Sequence, residues 1–131
     1  MIRELALICQ GCRREIVSAG YLWAHTGDVA AHQRARRLWR ERYDRPGGYG
    51  VDMVGLFAHP VPVCWQAHHQ QCDRAREESH YRIAAGRLHS RADLLEWTAH
   101  LMRKTWLPGT DWHDVLREAR AGGERITVIT P

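Results

Sequence analysis

Two short motifs, Cys9-Gln-Gly-Cys12 and His69-Gln-Gln-Cys72, constrain this chain more than any other feature. A Cys-x2-Cys turn bends the backbone until two sulfurs face one point. A His and a Cys three apart share one face of a helical turn and can complete a tetrahedron around the same ion. Three thiols and an imidazole form a structural zinc set, because four protein ligands leave no position open for water or substrate. The sequence therefore predicts Cys9, Cys12, His69 and Cys72 as ligands of one Zn2+ ion.

Two other residues compete for a place in that set. His68 and Cys72 are four apart, which also suits a helical turn, and Cys64 with His68 offers a further way to replace His69. The His-x2-Cys spacing mirrors the first pair and favours His69. Cys64 lies beside Trp65 in an apolar run, where a free cysteine behaves as a small hydrophobe. A Cys-x2-Cys turn without an export signal reads as a metal or redox site before it reads as half of a disulfide framework. The redox reading lacks the helix within a βαβ unit that it requires.

Composition narrows the class. With 131 residues, 44% hydrophobic content and six tryptophans, the chain can bury a modest core. No apolar run approaches the roughly 18 residues of a membrane span, so a soluble, cytoplasmic protein is expected. The net charge of +4 comes from eighteen arginines and one lysine set against fifteen carboxylates, a modest pull toward nucleic acid.

Along the chain, Leu5–Ile8 reads as a strand before the first cysteine pair, and Ile16-Val17 with Tyr21–Trp23 as a hairpin turning at Ser18–Gly20. Asp28 caps a predicted helix to Tyr43, with Ala31, Ala35, Leu38, Trp39 and Tyr43 on its inner side and Arg34, Arg36, Arg37 and Arg40 on the other. The stretch from Pro46 to Pro62 reads as a loop with a short strand at Val51–Phe57. Val61–Trp65 reads as a strand, His68–Glu78 as a short helix and Tyr81–Ala85 as a strand. Ser90 caps the clearest helix, Ala92–Trp106, in which Leu94, Leu95, Trp97, Thr98, Leu101, Met102 and Thr105 form one apolar stripe. A further helix is predicted at Trp112–Ala121 and a terminal strand at Ile126–Ile129. Residues 1–131 form one domain: a zinc module at 1–27 and 61–80, an insertion at 28–60, and a helix-rich C-terminal section at 81–131.

The order Cys-x2-Cys, short hairpin, then His-x2-Cys at a helix start resembles a treble-clef zinc finger and is similar to the first zinc half of LIM-type modules. The likeness covers Cys9–Gly20 and Trp65–Cys72. The 56 residues between Cys12 and His69 are far more than a LIM module holds, so an insertion is implied, and no second ligand set follows. The stretch from Leu94 to Trp112 also looks like small bacterial and phage proteins to which no activity attaches. The resemblance implies an α+β fold: a treble-clef zinc module with a helical insertion and a helix-rich C-terminal section.

Treble clefs serve binding and catalysis alike, so the fold class does not choose a function. The residues favour a non-enzymatic regulator or adaptor. Its partner is a protein, or a nucleic acid contacted through Arg13, Arg14, Arg34, Arg36, Arg37 and Arg40. The rival is a divalent-metal nuclease of the His-Me type, with His25 as general base and His68 as helical metal ligand. Against it, the chain has no asparagine, and Ala24 stands where an Asp-His pair is usual.

Overall fold

In the computed structural model, residues 3–43, 59–73 and 80–129 are described. Their elements run β1 (Leu5–Leu7), β2 (Gly20–His25), α1 (Thr26–Tyr43), β3 (Gln66–His69), β4 (His80–Ala84), α2 (Arg91–Leu101), α3 (Trp112–Ala121) and β5 (Ile126–Val128). The fold is mixed helix and sheet, with three helices and two small antiparallel sheets among the described residues.

The larger sheet has the order β3-β2-β4. Leu22 of β2 stands opposite Ala67 on one side and Ile83 on the other, and all three are fully buried. Because side chains alternate across a strand, Tyr21, Trp23, His25, His68, His80 and Arg82 share the other face. The partners of β2 thus lie far along the chain. The expected hairpin with Ile16-Val17 does not form: Ile16 instead donates its backbone N–H to Leu7 and is buried, while Val17 is exposed.

In the smaller sheet the first described strand pairs with the last, Leu5 opposite Val128 and Leu7 opposite Ile126. All three residues of β1 are buried.

Trp65 is the hub of the core. Its indole N–H donates to the Thr110 hydroxyl at 3.0 Å and its backbone N–H to the Asp111 carboxylate at 2.8 Å. Its ring meets Trp112 edge-on at 5.1 Å. The run 61–65 is therefore no independent strand; Val63 makes a single parallel bridge to Thr110. Arg125, itself buried, donates to Asp111 (2.7 Å), to the Trp65 carbonyl (3.0 Å) and to Glu118 (2.6 Å). Burial alone would weaken its hold on a proton, but the two carboxylates more than offset that and make the guanidinium more basic.

The capping box at α2 forms as the sequence predicts. The Ser90 hydroxyl accepts from the Asp93 backbone, and the Asp93 carboxylate accepts from the Ser90 backbone, so Asp replaces the usual Glu. The helix stops at Leu101, short of Trp106, and a turn leads into a 3-10 segment at Leu107–Gly109. Its expected single stripe divides: Leu94 and Leu101 are buried, whereas Leu95 and Met102 face solvent.

The first helix is likewise rotated from expectation. Val29 and His32 are its buried residues, Ala31 and Leu38 are exposed, and Arg36 is half-buried. The predicted helix at 68–78 also gives way. His68 and His69 end strand β3, and Gln70–Cys72 form a 3-10 turn. Residues 74–78 of that predicted helix, and the strand expected at 51–57, lie outside the described residues.

Candidate metal centre

The knuckle Cys9–Cys12 docks on the free edge of β3. Gln10 donates its backbone N–H to the Ala67 carbonyl at 2.8 Å, and its side-chain oxygen accepts from the Ala67 N–H at 2.8 Å. Inside the turn Arg13 donates to the Cys9 carbonyl, and Cys9 donates to that of Arg14. Arg13 takes a left-handed conformation, φ 65°, unusual for a residue with a side chain. Gly11 lies against the second pair: a Cβ there would stand 3.3 Å from that of Cys72 and 3.6 Å from the Cys9 sulfur.

Strand alternation, rather than helical spacing, separates the two histidines. His69 shares the face of Ala67 and reaches the knuckle, while His68 lies on the opposite face and accepts the Trp23 indole N–H at 3.0 Å. The chain thus gathers Cys9, Cys12, His69 and Cys72, one potential ligand atom from each, all within 4.8 Å of one another. Nδ1 of His69 is 3.3 Å from the Cys12 sulfur and 4.0 Å from that of Cys72. A zinc tetrahedron with the usual metal–sulfur and metal–nitrogen lengths has edges of about 3.6–3.8 Å, so the donor set fits that ion in kind and in spacing.

The surroundings tune these donors. Nε2 of His69 lies 3.2 Å from the Glu15 carbonyl, which can only accept; the proton therefore sits on Nε2, and Nδ1 presents its lone pair to the thiols. The Cys9 sulfur accepts the His69 backbone N–H at 3.4 Å. Burial pushes the Cys9 thiol up, but N–H groups of Cys12, His69 and Gly11 outweigh it and hold it down at about 6. Burial, together with the sulfurs of Cys9 and Cys12, pushes the Cys72 thiol up to about 11. A divalent cation would relieve that crowding of negative charge. Burial also lowers His68, with Asp73 opposing.

Cys64 does not join the cluster. It is exposed, and partial loss of water around its sulfur, together with the nearby Asp111 carboxylate, raises its thiol. His25 ends β2 opposite His80, and His68 stands opposite Tyr21. His25 and His68 are thus offset by four residues along neighbouring strands, or about 13 Å at the usual rise. Nδ1 of His25 accepts the Asp28 backbone N–H.

Among the arginines, Arg13 is paired with Glu124 at 2.9 Å. Arg14, Arg34, Arg37 and Arg40 are exposed, with no ion pair to a described residue. The Glu15 carbonyl and the Gln10 amide were not foreseeable as parts of the site, since backbone groups and neutral amides carry no spacing signal. Gly11 stands inside the motif itself.

In comparisons with known proteins, no family model matches the chain, and no curated protein and no solved structure matches it either. What the fold and the cluster define is therefore a class, a mixed α and β protein with a candidate three-thiol, one-imidazole metal centre. No helix among the described residues is long and apolar enough to cross a membrane.

Proposed function

We propose that the chain is a non-enzymatic zinc protein, a regulator or adaptor whose metal is structural and whose partner is a nucleic acid. The observation that carries the first half is the closure of four donor atoms within 4.8 Å. With all four positions filled by protein, the ion holds the Cys9–Cys12 knuckle to the end of β3 and does no chemistry on a substrate. Zinc is the natural occupant because it takes three thiolates and one imidazole in a tetrahedron without preference from d electrons. A knuckle sharing one ion with a second ligand pair is the metal-binding half of a treble-clef arrangement, and we assign the centre to that type, with the second pair carried by a strand end and a 3-10 turn in place of a helix start.

The partner is read from charge. Arg34, Arg37 and Arg40 project from α1 into solvent without carboxylate partners among the described residues. Such a face suits phosphates, whose contacts position a protein on nucleic acid without reading sequence. A shift assay with duplex DNA and single-stranded RNA, run across a range of salt, tests this. Changing Arg34, Arg37 and Arg40 together to Glu should weaken binding to every sequence and flatten the salt slope by about 2.7 units on duplex DNA. Absence of any binding by the parent protein at low salt would discard the nucleic-acid reading while leaving the metal untouched.

A further inference from the structure

The second helix is apolar on two sides. Leu94 and Leu101 enter the core, yet Leu95 and Met102 are 72% and 73% exposed. Leu95, Ala99 and Met102 are spaced by four and three residues, so they form a continuous outward stripe. Exposed apolar side chains in a row, unlike scattered single ones, mark a surface that a partner covers. Across from the stripe lies Leu116 of α3, also exposed. Between the two helices runs a groove of about 310 Å³, floored by Leu94, Leu95, Thr98, Leu116 and Ala119 and reached by Arg91 and Arg120.

The charged residues that line the groove are both basic. The Trp112 indole donates to the Thr98 hydroxyl at 3.0 Å, so the first turn of α3 lies against the second half of α2. Arg91 and Arg120 both line the groove, and among the described residues no carboxylate does. Arg91 is paired with Glu4 at 3.0 Å, but Arg120 has no ion pair to a described residue. Arg117, 80% exposed at its side chain, adds to the surplus although it touches Asp114.

We propose that this groove docks an acidic amphipathic helix from another protein. Its apolar side chains would seat on Leu95 and Leu116, and its carboxylates would meet Arg120 and Arg91. A groove between two helices accepts a third helix through anchors at helical spacing. Nucleic acid offers nothing that a leucine-lined floor would bind. A second copy of this chain would bring the same arginine-rich rim to meet itself, since a two-fold interface pairs one patch with its own image. The proposal does not rest on the metal centre or on the arginines of α1.

The test is selection of a yeast-displayed library of short random peptides on the purified, metal-loaded protein, with counter-selection on the Leu95→Asn/Leu116→Asn variant. Both substitutions are at exposed positions, and circular dichroism checks that the fold is kept. Selected peptides should carry apolar residues at helical spacing with Asp or Glu beside them. Leu95→Asn alone and Arg120→Glu alone should each weaken them by about tenfold or more. Arg120→Glu should also shift the selection toward Lys-bearing peptides. Glu at Arg34, Arg37 and Arg40 should leave peptide binding unchanged, which separates this surface from the nucleic-acid face. Selection of basic or uncharged peptides, or no enrichment over the double variant, would overturn the proposal. So would a wild-type dimer in sedimentation that Leu95→Asn dissolves.

Discussion

Trp23 donates its indole N–H to Nδ1 of His68 at 3.0 Å, which occupies that nitrogen outside the thiol cluster even though the ring edge, Cδ2, lies 3.6 Å from where a Gly11 Cβ would stand. The neighbouring His69 turns the other way, with Nε2 at the Glu15 carbonyl and Nδ1 at the sulfurs. The two are adjacent in sequence, and the pleat of β3 turns their ring nitrogens to different partners.

Metal content should follow that division. The purified protein is expected to hold one zinc per chain by elemental analysis, and His68→Ala should keep it. His69→Ala removes a donor directly, so its affinity should fall by more than the roughly 10–100-fold typical of losing a supporting partner. Zinc retained by His69→Ala at parental affinity, in a chelator competition, would place the fourth donor elsewhere.

Stability should divide the cysteines. Cys12→Ser takes away a donor whose binding is coupled to folding, and a loss above about 4 kcal/mol is expected. Cys64→Ser alters an exposed thiol outside the cluster and should cost less than about 1 kcal/mol. Urea denaturation of the two variants beside the parent checks this, and equal losses would bring Cys64 into the ligand set.

Zinc affinity should rise with pH. The metal takes thiolates, and the Cys72 thiol, pushed up to about 11, still holds its proton near neutrality. Each ion bound there displaces at least that proton. Below about 6 the Cys9 thiol is protonated as well, so one more proton must leave and the decline should steepen. Competition with a chromophoric chelator across this range reads the slope. An affinity independent of pH above 6 would contradict the assignment of Cys72 as a donor.

The buried ion cluster gives a control unrelated to metal. Arg125→Ala leaves Asp111 and Glu118 in the interior without their cation, and about 3–5 kcal/mol of stability should be lost. Arg117→Ala, from an exposed pair with Asp114, should change stability by less than about 0.5 kcal/mol. Thermal or urea unfolding at matched metal content measures both.

Local signals in the sequence reported well on local structure. The capping box at Ser90, the helix from Trp112 to Ala121 and the strand at Ile126 depend on residues within a few positions of one another, and they form where expected. Strand pairing did not carry that signal. β2 draws its partners from β3 and β4 rather than from Ile16-Val17, and nothing in six residues announces a neighbour that far away. The helix predicted over 68–78 gave way because β3 gains a full ladder with β2, and tertiary pairing outweighs a weak local preference. The apolar stripe of α2 was read as one buried surface. Periodicity reports that a face is apolar, not what covers it, so Leu95 and Met102 were indistinguishable from Leu94 and Leu101.

The pairing of β1 with β5 bears on how the molecule is made. A chain leaving the ribosome exposes Leu5–Leu7 long before Ile126–Val128 exists to cover it. Both halves of the thiol cluster emerge well before β5, so an ion can fasten the knuckle to the strand end while the smaller sheet is still missing. That fastening shortens the loop left to be closed when β5 arrives. On the zinc assignment proposed above, metal supply during synthesis, and not only in the finished protein, should then affect how much of the chain reaches its native state.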